Sequence, residues 1–213
     1  MRKEMIERYV GELSRSFGGI LPLVDGNVLQ ELRELYRQQD FVGMVRCIKE
    51  TLHLNFQTRI GFVNSGGPDT AALWIESPEQ MPPYGTQQFE RLRITVYVRK
   101  SFLARCSFES AVVGVVHELS HVVLRGIGHE LRHQEEAVDL TAMMLGYRNF
   151  FRTGSHRTEV VETLVKRSFM EDLIDKLLGR HTVLVTTSHF SLGYLSAEEV
   201  EFAANLMDRA ATK

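Results

Sequence analysis

Cysteine is nearly absent from this chain. The 213 residues hold two, Cys47 and Cys106, which fit neither a disulfide framework nor the paired thiols of a zinc ribbon. Two free thiols in a reducing compartment are expected, with Cys47 in the core, because it lies among the apolar positions Val42, Val45 and Ile48. An apolar run of about 18 residues, the length of a membrane span, is missing as well. So is any basic excess. Lys and Arg number 25 against 27 Asp and Glu, for a formal net charge of −2, so neither nucleic acid nor a membrane surface is expected as a partner. Acidic residues interrupt the start, Met-Arg-Lys-Glu-Met-Ile-Glu-Arg-Tyr, where a secretion signal would turn apolar. A cytoplasmic protein is the expectation.

What is present is a core. Hydrophobic residues make up 44% of the chain, enough for a folded domain, and no internal repeat divides it. One domain over 1–213 is expected, helical over about 1–53 and mixed over 54–213. Residues 3–17 have the spacing of an amphipathic helix, stopped by Gly18-Gly19 and Pro22. Asn27 with Gln30 reads as a capping box for a second helix to about Asp40, and a third helix follows over about 41–53. Residues 58–63 and 71–77 read as strands around a turn at Asn64–Asp69, and 78–89, with Pro78, Pro82 and Pro83, as a loop. The alternation in Leu92-Arg-Ile-Thr-Val-Tyr-Val-Arg99 predicts a half-exposed strand, placed at a sheet edge. Helices are expected over 108–126, about 134–150 and about 158–178. Residues 182–187 read as a short strand or loop. Ser196 with Glu199 reads as a capping box for a last helix to about residue 210.

The helix from Phe108 has almost no polar face: Ala111, Val112, Val113, Val115, Val116, Leu119, Val122 and Val123 surround it. Such a helix is buried. Yet it contains His117-Glu118-Leu119-Ser120-His121. Residues four apart are separated by about 40° around the axis and about 6 Å along it, so both imidazoles can meet one metal ion. Glu118 points elsewhere, where it can take a proton from a water that the metal activates. The bland alternative, two core histidines and a buried glutamate, leaves an ionised carboxylate without a partner, which is costly.

A third ligand is needed. In Gln134-Glu135-Glu136-Ala137-Val138-Asp139, Glu135 and Asp139 share a helical face. One carboxylate can complete the site and another can accept a hydrogen bond from a ligand imidazole. Acidic residues also favour helix starts for their own sake.

The motif His117-Glu118-x-x-His121 followed by Glu135-x-x-x-Asp139 resembles the gluzincin branch of the zinc metallopeptidases. The resemblance spans about residues 92–145. It implies an α+β zincin-like fold, in which a small twisted sheet packs on the buried HExxH helix, with N- and C-terminal helices around it. It implies one zinc ion (Zn2+) per chain held by His117, His121 and Glu135, with Glu118 as general base and Asp139 behind a ligand. A peptide or protein substrate would lie along the strand at 92–99. Only 13 residues, 122 to 134, separate His121 from Glu135, fewer than in the large gluzincins, and His129, His133 and Glu136 remain rival third ligands. Cys106 lies in the wrong context for the cysteine ligand of peptide deformylases. Stabilisation of a developing oxyanion, which such enzymes assign to a Tyr, His or Arg, has candidates in Tyr147, His156 and Arg157, with Tyr84 in the proline loop. His181 and His189 carry no spacing argument. The expected function is peptide-bond hydrolysis. The alternatives are hydrolysis of a non-peptide amide and a regulatory metal-binding module without protease activity.

Overall fold

The computed structural model describes residues 2–64, 72–76, 78, 80–163 and 184–211, with the backbone alone for 157–163 and 184–191. The architecture is α+β. Three helices come first: α1 (Lys3–Phe17), α2 (Gly26–Arg37) and α3 (Phe41–Thr51). α1 buries Ile6, Tyr9, Val10 and Leu13, a stripe at helical spacing, and ends where Gly18 turns left-handed at φ 73°. The cap of α2 differs from the sequence expectation. Asp25, not Asn27, is the N-cap, and its carboxylate accepts the Asn27 N–H at 2.8 Å. Asp40 caps α3 in the same way through Gly43 N–H.

Two sheets follow. The first joins β1 (Gln57–Val63), β2 (Leu73–Glu76) and β3 (Arg93–Arg99) in the order β1-β3-β2, with β1 parallel and β2 antiparallel to β3. The proline loop and the one-turn helix α4 (Gln87–Glu90) carry the chain between β2 and β3. β3 alternates as expected, burying Ile94, Val96 and Val98. Its place is a correction: β3 is the central strand, with its backbone committed to a neighbour on each side, and β1 and β2 are the edges among the described residues. Period-2 alternation reports which face is buried and says nothing about how many neighbours a strand has. The turn expected at Asn64–Asp69 falls largely outside the described residues.

After the short α5 (Lys100–Leu103), α6 (Phe108–Gly126) passes through the centre of the molecule against α3, α7, α8 and β2. Ser107 caps it by accepting Ser110 N–H at 3.1 Å. Val112, Val113, Val116 and Leu119 are fully buried, each contributing about 1.5–3 kcal/mol.

The single helix expected over 134–150 is interrupted. α7 (Glu135–Ala142) passes into a wide π-turn at Met143–Tyr147 before α8 (Arg148–Gly154). Gly146 adopts φ 103°, and a Cβ there would stand 2.6 Å from Pro22 O. The interruption frees carbonyls that the N-terminal loop uses: Leu21 N–H donates to Met144 O at 2.9 Å and Val24 N–H to Gly146 O at 3.2 Å. Gly146→Ala is therefore expected to destabilise the fold by about 2–4 kcal/mol through backbone strain and the clash. A thermal melt should show a midpoint lower by roughly 5–10 °C.

The helix expected over 158–178 is also corrected. Residues His156–Thr163 form strand β4, paired antiparallel with β5 (Leu184–Ser191), and 164–183 lie outside the described residues. The run Thr158-Glu-Val-Val-Glu-Thr163 is rich in β-branched residues. The last helix, α9 (Ala197–Ala211), starts on the expected box. Ser196 N–H donates to Glu199 Oε2 at 3.0 Å, and Glu199 N–H to Ser196 Oγ at 3.3 Å. Neither Cys47 nor Cys106 is in a disulfide, and Cys47 is buried. No helix among the described residues is long and apolar enough to cross a membrane.

Candidate metal centre

α6 places His117 and His121 on one face, their ring centroids 5.0 Å apart and nearly perpendicular at 86°. Their side chains are 12% and 15% exposed. The chain then reverses. Gly128 takes φ 63°, and His129 caps the one-turn 3-10 helix Glu130–His133 by accepting Leu131 N–H at 3.1 Å. This tight reversal brings the first residue of α7, Glu135, back over α6. Glu135 Oε2 lies 3.2 Å from His121 Nε2 and 3.5 Å from His117 Nε2. The three donor atoms lie within 4.8 Å of one another.

These distances can be compared with a tetrahedron. Ligand atoms about 2.0–2.2 Å from one zinc ion stand about 3.3 Å apart, which is where the Glu135 oxygen stands relative to both rings. Glu135 Oε2 is buried and has no hydrogen-bond partner among the described residues. A carboxylate oxygen is rarely left so, and a cation at the shared point would satisfy it. Two imidazoles and a carboxylate are a donor set that suits zinc, with room for a fourth ligand. The residues therefore fit a divalent cation. Among the described residues no other histidine, cysteine or acidic group joins the cluster.

Behind the cluster, Asp139 is fully buried. Its Oδ1 meets His117 Nδ1 at 2.8 Å. Its Oδ2 accepts the backbone N–H of Tyr194 at 2.6 Å and of Leu195 at 3.2 Å. With Nδ1 donating to Asp139, Nε2 would be the nitrogen that meets a cation. Burial opposes a positive charge on His117, but the hydrogen bond to Asp139 and the nearby Glu135 carboxylate outweigh it and hold the ring well above the usual histidine range. Burial and the neighbouring His117 charge push His121 down. Glu135 is held below the ordinary carboxylate range, first by His117 and against its own burial.

Glu118 follows a different logic. Burial raises its pKa to about 7, against the pull of His117. Its Oε2 accepts Ile75 N–H at 3.1 Å. Ile75 belongs to β2, whose neighbour Ala72 accepts Arg99 N–H on the β3 side, so by alternation Ile75 turns its backbone outward. The side of β2 that pairs with no strand among the described residues therefore faces the centre, with its Ile75 N–H held by Glu118.

Not every candidate arrives. Tyr147 is fully buried and its hydroxyl bonds to Thr51, so it is a core residue away from the centre. The His156 ring is engaged by Leu195 O at 2.7 Å. The side chains of Arg157 and His189 lie outside the described residues, as does all of His181. Tyr84 donates its hydroxyl to His53 O at 3.0 Å. Of the rival ligands, His129 caps the reversal, His133 is exposed, and Glu136 turns away to pair with Arg2. Cys106 Sγ faces Leu103 O.

The sequence reasoning missed Tyr194. Its ring stacks on His117, with centroids 5.8 Å apart and 22° between planes. Burial and the charges of Glu135, Glu118 and Asp139 raise its pKa. The sequence signal was small: Gly193 precedes it at φ 111°, and a Cβ there would stand 3.0 Å from Asp139 Oδ2. Arg125, one turn beyond His121 on the same face of α6, was also overlooked. It lowers the pKa of Glu118, His121 and Glu135 electrostatically.

No protein family, curated protein or solved structure matches the chain.

Asp139→Asn separates support from ligation. The amide oxygen can keep the Tyr194 and Leu195 N–H groups, but its NH2 then faces His117 Nδ1 and imposes the other tautomer. Zinc affinity is expected to fall by about 10–100-fold, read by competition with a chromophoric chelator, while folding is retained.

Proposed function

We propose that the chain is a zinc-dependent peptidase of the zincin type, with one zinc ion held by His117, His121 and Glu135. The observation that carries this is the convergence of three donor atoms within 4.8 Å of one another beside a half-buried carboxylate, Glu118, that is not one of them. Zinc in such a site supplies a Lewis acid and lowers the pKa of water towards about 7. Glu118 would be the base for a water activated there: Ile75 N–H holds its Oε2, so Oε1 would take the proton and pass it to the leaving amine. A proton affinity near neutral suits both transfers. Asp139 keeps His117 in the ligating tautomer. Tyr194, whose ring stacks on His117, is our choice to donate a phenolic proton towards a developing oxyanion, in the role for which Tyr147, His156 and Arg157 were the sequence candidates.

The preference for a peptide over another amide rests on β2. A strand edge facing the centre can hold an extended substrate by main-chain hydrogen bonds. This moves the role first expected of the strand at 92–99 to its neighbour. A purely regulatory metal module would need Glu118 only to hold Ile75 N–H, because the three proposed ligands do not include it.

The test is cleavage of a peptide library by purified protein with one equivalent of zinc, with zinc removed by a chelator, and with zinc restored. Cleavage that follows the metal supports the proposal. Stoichiometric zinc with no cleavage of any peptide would leave the regulatory module as the better account.

A further inference from the structure

Away from the metal centre, the sheet has a second free edge. β1 has β3 on one side and no further strand on the other among the described residues. Gln57 N–H donates to Leu92 O at 3.0 Å, so Gln57, Arg59, Gly61 and Val63 turn their backbone groups towards β3. Thr58, Ile60 and Phe62 therefore present N–H and C=O outward. α3 lies beside this edge. Lys49 Nζ donates to the outward carbonyl of Phe56 at 2.6 Å. Val42, Val45, Arg46 and Lys49, one stripe of α3, line a hollow of about 440 Å³ with residues 56–60. Residues from both faces of β1 line it, so it follows the strand edge and not one face of the sheet.

A second hollow of about 640 Å³ lies at the far end of β1, formed by Phe41, Met44, Phe62 and Leu103. Phe62 and Val42 are 47% and 53% exposed. The charge along both hollows has one sign. Arg37, Arg46, Lys49, Arg59 and Lys100 line them, and no acidic side chain does among the described residues. Among the described residues, Arg37 pairs with Glu34 on its own helix, and Glu50, the next residue of α3, acts on Lys49 electrostatically without lining either hollow. On a chain of formal net charge −2, this is a local concentration of positive charge. It disfavours pairing of two copies through this edge, and charge complementarity favours an acidic segment.

We propose that the seam between α3 and the outer edge of β1 binds an extended acidic polypeptide segment, which adds to the sheet as a further strand and seats apolar side chains against Phe62 and Val42. Main-chain pairing with Thr58, Ile60 and Phe62 gives the geometry, and the cations select the charge. The outward amides, which repeat at the strand spacing, favour a polypeptide over a nucleic acid strand.

The probe is a fluorescent peptide of about nine residues, alternating glutamate and valine, enough to span β1. Anisotropy is expected to show saturable binding that weakens as salt rises. N-methylation of alternate residues should abolish binding in one parity and spare it in the other, because only alternate residues face the strand. Arg46→Glu with Arg59→Glu, both exposed and outside the core, should weaken binding about tenfold or more while the melting temperature holds. The proposal is overturned if the peptide does not bind, if both N-methylated isomers bind alike, or if the charge reversals have no effect. It is equally overturned if single-stranded DNA of the same charge competes as well as unlabelled peptide, which would mark a general polyanion surface.

Discussion

Glu118→Gln is expected to keep its zinc and lose its chemistry. The amide oxygen still accepts Ile75 N–H, so the hold on β2 survives, and none of the three donor atoms is touched. What the amide cannot do is accept a proton. Hydrolysis should fall by about 10²–10⁴-fold, the contribution of a positioned general base. Stability should hold or rise, because a carboxylate that burial pushes up to about 7 is replaced by a neutral group. Zinc content by elemental analysis, a thermal melt and the initial rate on the best substrate of the peptide library distinguish these effects. Equal rates for the two proteins would remove Glu118 from the mechanism.

The second large effect is on the metal itself. His121→Ala, His117→Ala or Glu135→Ala each removes one of three donors, and zinc affinity should drop by about a thousand-fold or more, since three ligands share a binding free energy of roughly 10–16 kcal/mol. Glu136→Ala should leave affinity within about threefold, because Glu136 faces Arg2 and not the centre. Calorimetric titration of the four variants reads both outcomes. Similar losses for Glu135→Ala and Glu136→Ala would refute the assignment of the third ligand. The fold should tolerate the histidine changes, since both rings sit at the margin of the core and not within it.

The two acidic neighbours show where local pattern stops being informative. Both stand in the first turn of α7, and helix geometry alone turns either towards a partner. Their separation depends on how the reversal at Gly128 and His129 sets the phase of α7 against α6. The same holds for β3, whose alternation was legible while its central position was not, because strand order is made by contacts between segments far apart in sequence. Gly146 looked like one more residue in a helical run. It became an interruption only because the loop at Pro22 packs against it.

By itself, the sequence determined the buried helix, since an almost wholly apolar surface leaves it nowhere else to go. It also determined the pairing of His117 with His121, since a period of 3.6 places residues four apart together wherever the helix lies. The box at Ser196 and Glu199 was local for the same reason. Tertiary structure alone decided that Glu135 completes the cluster, that β2 and not β3 offers its edge to it, and that Tyr194 reaches His117 from 77 residues away. Each of these depends on chain reversals that bring distant segments together, and neither periodicity nor capping encodes the direction of a reversal.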